Sequence, residues 1–134
     1  MPNPNSDLGQ LAIAAREHAH APYSNFRVGA ALETSTGEIY TGCNVENATY
    51  GLTICAERVA VLKAISEGAR PGSFVRIAIA ADTPTLTPPC GACRQILSEF
   101  APDAVITLVN LAGLSKSYSI AELLPESFND SFFR

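Results

Sequence analysis

The chain has 134 residues, 47% hydrophobic and 16% charged, with a formal net charge of -4. That length suits one domain over residues 1–134, and the apolar share is enough for a core and too high for a disordered chain. The pI near 5.0 argues against nucleic acid or an anionic membrane as the main partner, since neither is drawn to an acidic surface.

No apolar run approaches the ~20 residues that span a bilayer. The polar stretch Met1–Asp7 has no signal-peptide core. The expected location is therefore the cytoplasm, where thiols stay reduced.

Asp7 to His18 is rich in Leu, Ala, Ile, Arg and Glu and predicts a helix. Ala21-Pro22-Tyr23-Ser24-Asn25 breaks it. Arg27–Thr34 and Ile39–Asn44 flank Ser35-Thr36-Gly37-Glu38 and read as a β-hairpin. Ile54–Glu67, with Val59, Leu62 and Ile65 as its apolar positions, predicts a helix that stops at Gly68. Val75–Ala81 is a buried strand, and the Pro/Thr stretch Asp82–Pro89 cannot continue it. Gly91–Phe100 predicts a helix with Ile96, Leu97 and Phe100 on one face. Val105–Asn110 is a strand, Ser115–Ser119 a short edge strand, and Ile120–Leu124 a helical turn ended by Pro125. This order implies an α/β fold, a mixed sheet with helices on its faces, with parallel neighbours among the later strands.

Two segments carry chemistry. Cys55-Ala56-Glu57 and Pro89-Cys90-Gly91-Ala92-Cys93 each open a predicted helix. A helix N-terminus offers unpaired amides and a positive dipole end, which favour the thiolate that a metal needs. Cys55, Cys90 and Cys93 would give three protein ligands and leave one tetrahedral position for water, the arrangement of a catalytic zinc. Cys43 belongs to neither motif and reads as a buried free cysteine. His18 and His20, far in sequence from the cysteines, read as surface or capping residues. Glu57, two residues after Cys55, could lie beside the open position without binding the metal.

Each piece has a plainer reading. A lone Cys-x-x-Cys could be a thioredoxin-like redox pair, although Cys-x-Glu has no place in that scheme. Glu57 could be a helix residue favoured by the dipole, and Arg58 a solvated cation. Singly, Phe26 reads as core and Asn44 and Glu46 as turn residues. Together, Cys-x-Glu and Pro-Cys-x-x-Cys match the known signature of zinc deaminases.

The chain resembles the small cytidine deaminases that assemble as homotetramers. The likeness runs through Tyr23-Ser24-Asn25-Phe26, Val28-Gly29-Ala30-Ala31-Leu32, Gly42-Cys43-Asn44-Val45-Glu46-Asn47-Ala48, Cys55-Ala56-Glu57-Arg58, Pro89-Cys90-Gly91-Ala92-Cys93-Arg94-Gln95 and Leu123-Leu124-Pro125. It implies a three-layer α-β-α sandwich with a five-stranded mixed sheet, one Zn²⁺ per subunit on Cys55, Cys90 and Cys93, and Glu57 as the proton carrier. It also implies that Asn44 and Glu46 bind the ribose hydroxyls, Phe26 packs on the pyrimidine ring, the Ala56 amide meets the base and Arg58 hydrogen-bonds the thiolates. Phe128 matches an aromatic lent to a neighbouring subunit, so active sites would be shared within the tetramer. Pro88 stands where the family often has a polar residue, which predicts a stiffer loop.

The implied reaction is hydrolytic deamination of cytidine and deoxycytidine to uridine and deoxyuridine plus ammonia, in pyrimidine salvage. Rival readings are a deaminase of another cytosine nucleoside, such as blasticidin S, and a structural zinc module. The latter needs a fourth protein ligand, for which Cys43 is the spare candidate.

Overall fold

A computed structural model describes residues 4–133. Residues 1–3 of the polar N-terminal stretch, and residue 134, lie outside the described residues. The elements in chain order are α1 (Pro4–Arg16), β1 (Val28–Thr34), β2 (Ile39–Cys43), a 3-10 turn (Tyr50–Leu52), α2 (Ala56–Ser66), β3 (Phe74–Ala81), α3 (Gly91–Phe100), β4 (Val105–Asn110), β5 (Ser115–Ser119), α4 (Ile120–Leu123) and a second 3-10 turn (Asp130–Phe133). No helix among the described residues is long and apolar enough to cross a membrane.

The five strands form one mixed sheet in the order β2-β1-β3-β4-β5. β3 and β4 are parallel; every other neighbouring pair is antiparallel. Alternation along β3 explains the layering. Ile77 and Ile79 join Val61, Leu97 and Ile106 in the core under α2 and α3. Ala78 and Ala80 face the other way and pack with Leu8 and Ala12 of α1. α1 on one face, with α2, α3 and the short α4 on the other, makes the α-β-α sandwich.

The helices sit unusually close to the sheet. A Cβ on Gly29 would lie 2.0 Å from the Ala12 carbonyl oxygen, and one on Gly42 would lie 2.6 Å from the Ala60 nitrogen and 2.7 Å from the Ala56 carbonyl oxygen. Only glycine permits backbone to approach backbone that closely. The same approach corrects the expected face of α2. Its buried residues are Ala56, Glu57, Ala60, Val61 and Ala64. Leu62 is exposed, while Val59 and Ile65 are only partly buried. Small side chains line the tight contact, and the larger ones are turned away from it.

Several boundaries also differ from expectation. α1 begins earlier and ends at Arg16, so His18 and His20 lie beyond it, both exposed. Helix α2 begins at Ala56 because Ile54 pairs with Val45 in an isolated antiparallel bridge. β3 takes in the fully buried Phe74.

Candidate metal and substrate site

The N-termini of α2 and α3 meet beyond the carboxyl end of β3, where α/β folds commonly place ligands. Cys55 is the N-cap of α2 and Cys90 the N-cap of α3; neither side chain makes a capping hydrogen bond. Their sulfurs are thus not spent on capping. Cys93 lies in the first turn of α3 and is fully buried. The three sulfurs lie within 4.8 Å of one another, and those of Cys55 and Cys90 are 3.9 Å apart. Tetrahedral zinc with bonds of about 2.3 Å to sulfur separates its ligands by about 3.8 Å, so the donor set and spacing fit Zn²⁺. Cys43 ends β2, half-buried, outside this cluster.

The thiols are electrostatically unequal. The Cys93 thiol donates to Cys55 and, with the Arg58 guanidinium beside it, pulls the Cys55 pKa down to about 5. That same hydrogen bond, with burial, pushes Cys93 up. Arg58 donates from Nη2 to the Cys55 sulfur at 3.6 Å and to the Thr53 carbonyl at 3.3 Å. A fixed guanidinium offsets the excess negative charge of three thiolates around a divalent ion.

Glu57, only 4% exposed, lies in the first turn of α2 and lines the pocket beside Cys55 and Cys90. Burial raises its pKa, and the Cys55 charge adds to that effect. The upward direction favours the protonated form, which is the sense of shift that helps a carboxyl act as an acid as well as a base.

The pocket above these residues holds about 240 Å³ and is lined by Phe26, Asn44, Ala56, Ile79, Thr87 and Pro88, among others. Its walls are mostly apolar, which suits a flat ring with few polar anchors. The Asp82–Pro89 loop is tied down by an Asn110 Nδ2 bond to the Thr83 carbonyl at 3.0 Å and a Thr83–Thr87 hydroxyl pair at 2.9 Å.

A wider cleft of about 350 Å³, lined by Tyr23, Ser24, Glu46, Tyr50 and Thr53, adjoins the pocket through Thr53. Asn44 and Glu46 stand at this junction, and both spend much of their hydrogen-bonding capacity on segment 23–28. Asn44 accepts from Val28 N at 2.9 Å and donates to the Phe26 carbonyl at 2.7 Å. Glu46 Oε1 accepts from the Tyr23 and Ser24 amides at 2.9 and 3.0 Å, and its Oε2 from the Ser24 hydroxyl. These bonds, the Ser24 hydroxyl's above all, hold Glu46 below the usual carboxylate range. Ser24 and Thr53 carry no local pattern that marks them as site residues: the Ser24 contact spans 22 residues, and the place of Thr53 depends on cavity shape.

Phe128 lines neither the pocket nor the wider cleft; the residue is 58% exposed and its ring stacks on Phe132 at 5.4 Å. Gln95 Nε2 donates to the Phe128 carbonyl at 2.8 Å and anchors the tail to α3. The two cations of the motif segments are both engaged. Arg58 serves Cys55, and Arg94 donates to the Pro89 carbonyl at 2.8 Å and the Leu123 carbonyl at 2.7 Å.

Three thiols with room for one further ligand, next to a buried carboxyl, define a hydrolytic metal centre of the zinc class. Comparison with known proteins carries the assignment further. The family model described as the cytidine and deoxycytidylate deaminase zinc-binding region matches residues 2–109, and the chain belongs to that family. It is 52% identical over 118 residues to the cytidine deaminase of Halalkalibacterium halodurans, covering 87% of this chain and 88% of that one. It is 33% identical over 107 residues to the blasticidin-S deaminase of Bacillus cereus, covering 73% and 74%. The crystal structure of the cytidine deaminase from Burkholderia pseudomallei superposes with a TM-score of 0.92 at 48% identity, covering 94% of this chain and all of that one.

Proposed function

We propose that this chain is a single-domain, zinc-dependent cytidine deaminase that converts cytidine and deoxycytidine to uridine and deoxyuridine with release of ammonia. The observation that carries this reading is the cluster of Cys55, Cys90 and Cys93 with Glu57 buried at its side.

Cys55, Cys90 and Cys93 would hold the zinc, which when bound would supply a water acidified to a pKa of about 7. Glu57 takes a proton from the attacking water and delivers it to ring N3. Once oxygen has bonded to C4, Glu57 takes the proton of that new hydroxyl and gives it to the amino group; the C4–N bond breaks, ammonia leaves and the C4 carbonyl forms. The Phe26 ring packs on the base and the Ala56 amide meets its polar edge. Asn44 and Glu46 bind the sugar hydroxyls. A carboxylate offers about four lone-pair sites, and three bonds from the 23–24 turn leave Glu46 one. Asn44 keeps one N–H and one lone pair.

The reading extends to a cytoplasmic homotetramer with shared sites. Four free cysteines suit a reducing compartment. Phe128, Phe132 and Phe133 form an exposed aromatic cluster on a tail anchored to α3, which supports a ring lent to a neighbouring subunit.

The test is zinc-loaded protein assayed by the loss of cytidine absorbance against a panel of cytidine, deoxycytidine, cytidine 5′-phosphate and blasticidin S. The two free nucleosides should react. The monophosphate should fail, because Arg58 and Arg94 are both committed elsewhere. Turnover of blasticidin S in preference to cytidine would move the assignment to the rival enzyme, and an inert zinc protein would point to a structural module.

A further inference from the structure

Glu46 reaches the substrate cleft from a short bridged segment after β2, and the turn opposite it decides how its carboxylate is presented. Ser24 occupies the centre of that turn. Its hydroxyl donates to Glu46 Oε2, while its oxygen accepts from the Phe26 amide at 3.0 Å. The amide fixes the hydroxyl rotor, so the proton is directed at the carboxylate. Meanwhile the Tyr23 and Ser24 amides occupy Oε1. The carboxylate is thus held at both oxygens, in one orientation, with its remaining lone pair on the Oε2 side.

The backbone behind the turn is equally constrained. His20 N donates to the Asn44 carbonyl at 2.9 Å and Glu46 N donates to the His20 carbonyl at 2.8 Å. Asn25 has a positive φ of 57°, which turns the chain from Ser24 toward Phe26. Movement of Glu46 within this frame therefore depends on side-chain bonds, of which the Ser24 hydroxyl makes the single one to Oε2 among those described.

We propose that Ser24 is a positioning residue for sugar recognition: its hydroxyl orients the Glu46 carboxylate so that one lone pair faces the nucleoside hydroxyls. The inference rests on the reading of Glu46 as a sugar-binding group. Ser24 itself is exposed, at the rim of the wider cleft, so replacing it leaves the core and the thiol cluster untouched.

The experiment compares cytidine with 2′,3′-dideoxycytidine, which has no hydroxyl for Glu46 to bind. Losing one orienting hydrogen bond should raise the KM of Ser24→Ala for cytidine about five- to tenfold, with kcat and zinc content near the parent's. Its kcat/KM for the dideoxynucleoside should stay unchanged. Ser24→Thr, which keeps the hydroxyl, should restore cytidine binding. In a Glu46→Ala background, Ser24→Ala should add nothing further, as expected for two residues acting as one unit. Equal losses on both substrates, an unaltered KM for cytidine, or a threonine variant as poor as alanine would each overturn the role of Ser24. If Glu46→Ala itself treats the two substrates alike, the sugar-binding reading of Glu46 fails, and the proposal with it. If Glu46→Ala discriminates between them and Ser24→Ala does not, only the role of Ser24 fails.

Discussion

Gly42 offers a way to separate stability from catalysis. A methyl group there would meet the Ala60 nitrogen at 2.6 Å and the Ala56 carbonyl oxygen at 2.7 Å, against an ordinary contact near 3.4 Å. Both atoms are backbone, so the first turn of α2 must give by about 0.8 Å. That turn carries Cys55 as its N-cap and Glu57 as its buried acid. Overpacking of this kind typically costs about 1–3 kcal/mol in stability. A misplacement of about 1 Å at reacting groups can cost on the order of 10²-fold in rate. Gly29→Ala is the matched control: its methyl would lie 2.0 Å from the Ala12 carbonyl oxygen and must displace α1, on the opposite face of the sheet. Urea titration should show both variants destabilised, Gly29→Ala at least as much as Gly42→Ala. Under conditions where both are folded, only Gly42→Ala should lose kcat/KM per zinc-loaded site, by about 10- to 100-fold. A Gly42→Ala enzyme of parental activity, or equal activity losses in the two variants, would refute this account of α2 positioning.

Further outcomes follow from the same geometry. Elemental analysis should find one zinc per chain in the parent and in Cys43→Ala, and strongly reduced zinc in Cys55→Ala, Cys90→Ala and Cys93→Ala. Full zinc in Cys90→Ala would overturn the ligand set. Co-assembly of Phe128→Ala with Glu57→Gln chains should give more activity than the sum of the two alone, because some mixed sites regain both groups. No gain in hetero-oligomers verified by native mass spectrometry would place Phe128 within its own chain.

Where signals are local, sequence and structure agree closely. Gly91–Phe100, Val105–Asn110 and Ser115–Ser119 fall at their expected bounds, because Pro88-Pro89, Ala101-Pro102 and the turn around Gly113 punctuate them. The Cys-x-Glu and Pro-Cys-x-x-Cys segments were legible for the same reason. Ser119 and Glu122 form a capping box that opens α4, a local pattern that the helical turn expected over Ile120–Leu124 does not draw on. Long-range packing was not legible. The side of α2 that meets the sheet depends on Gly42 lying under Ala56 and Ala60, so a count of large apolar residues selected Val59, Leu62 and Ile65 instead. Likewise Ile54 looked helical until Val45 paired with it. The ties from Glu46 to Ser24 and from Asn44 to Phe26 belong to the same class: each joins segments separated by 18 or more residues.

In the proposed function, Glu57 carries protons beside a zinc held by Cys55, Cys90 and Cys93. Glu57→Gln keeps the shape and buried position of the side chain and removes only its acid-base function. The decisive measurement is kcat of this variant on cytidine, with its zinc quantified in the same preparation. A full complement of zinc and a fall in kcat of about 10²–10⁴-fold are expected. A zinc-replete variant that retains more than about a tenth of the parental rate, far above what loss of a general acid-base should leave, would contradict this role of Glu57.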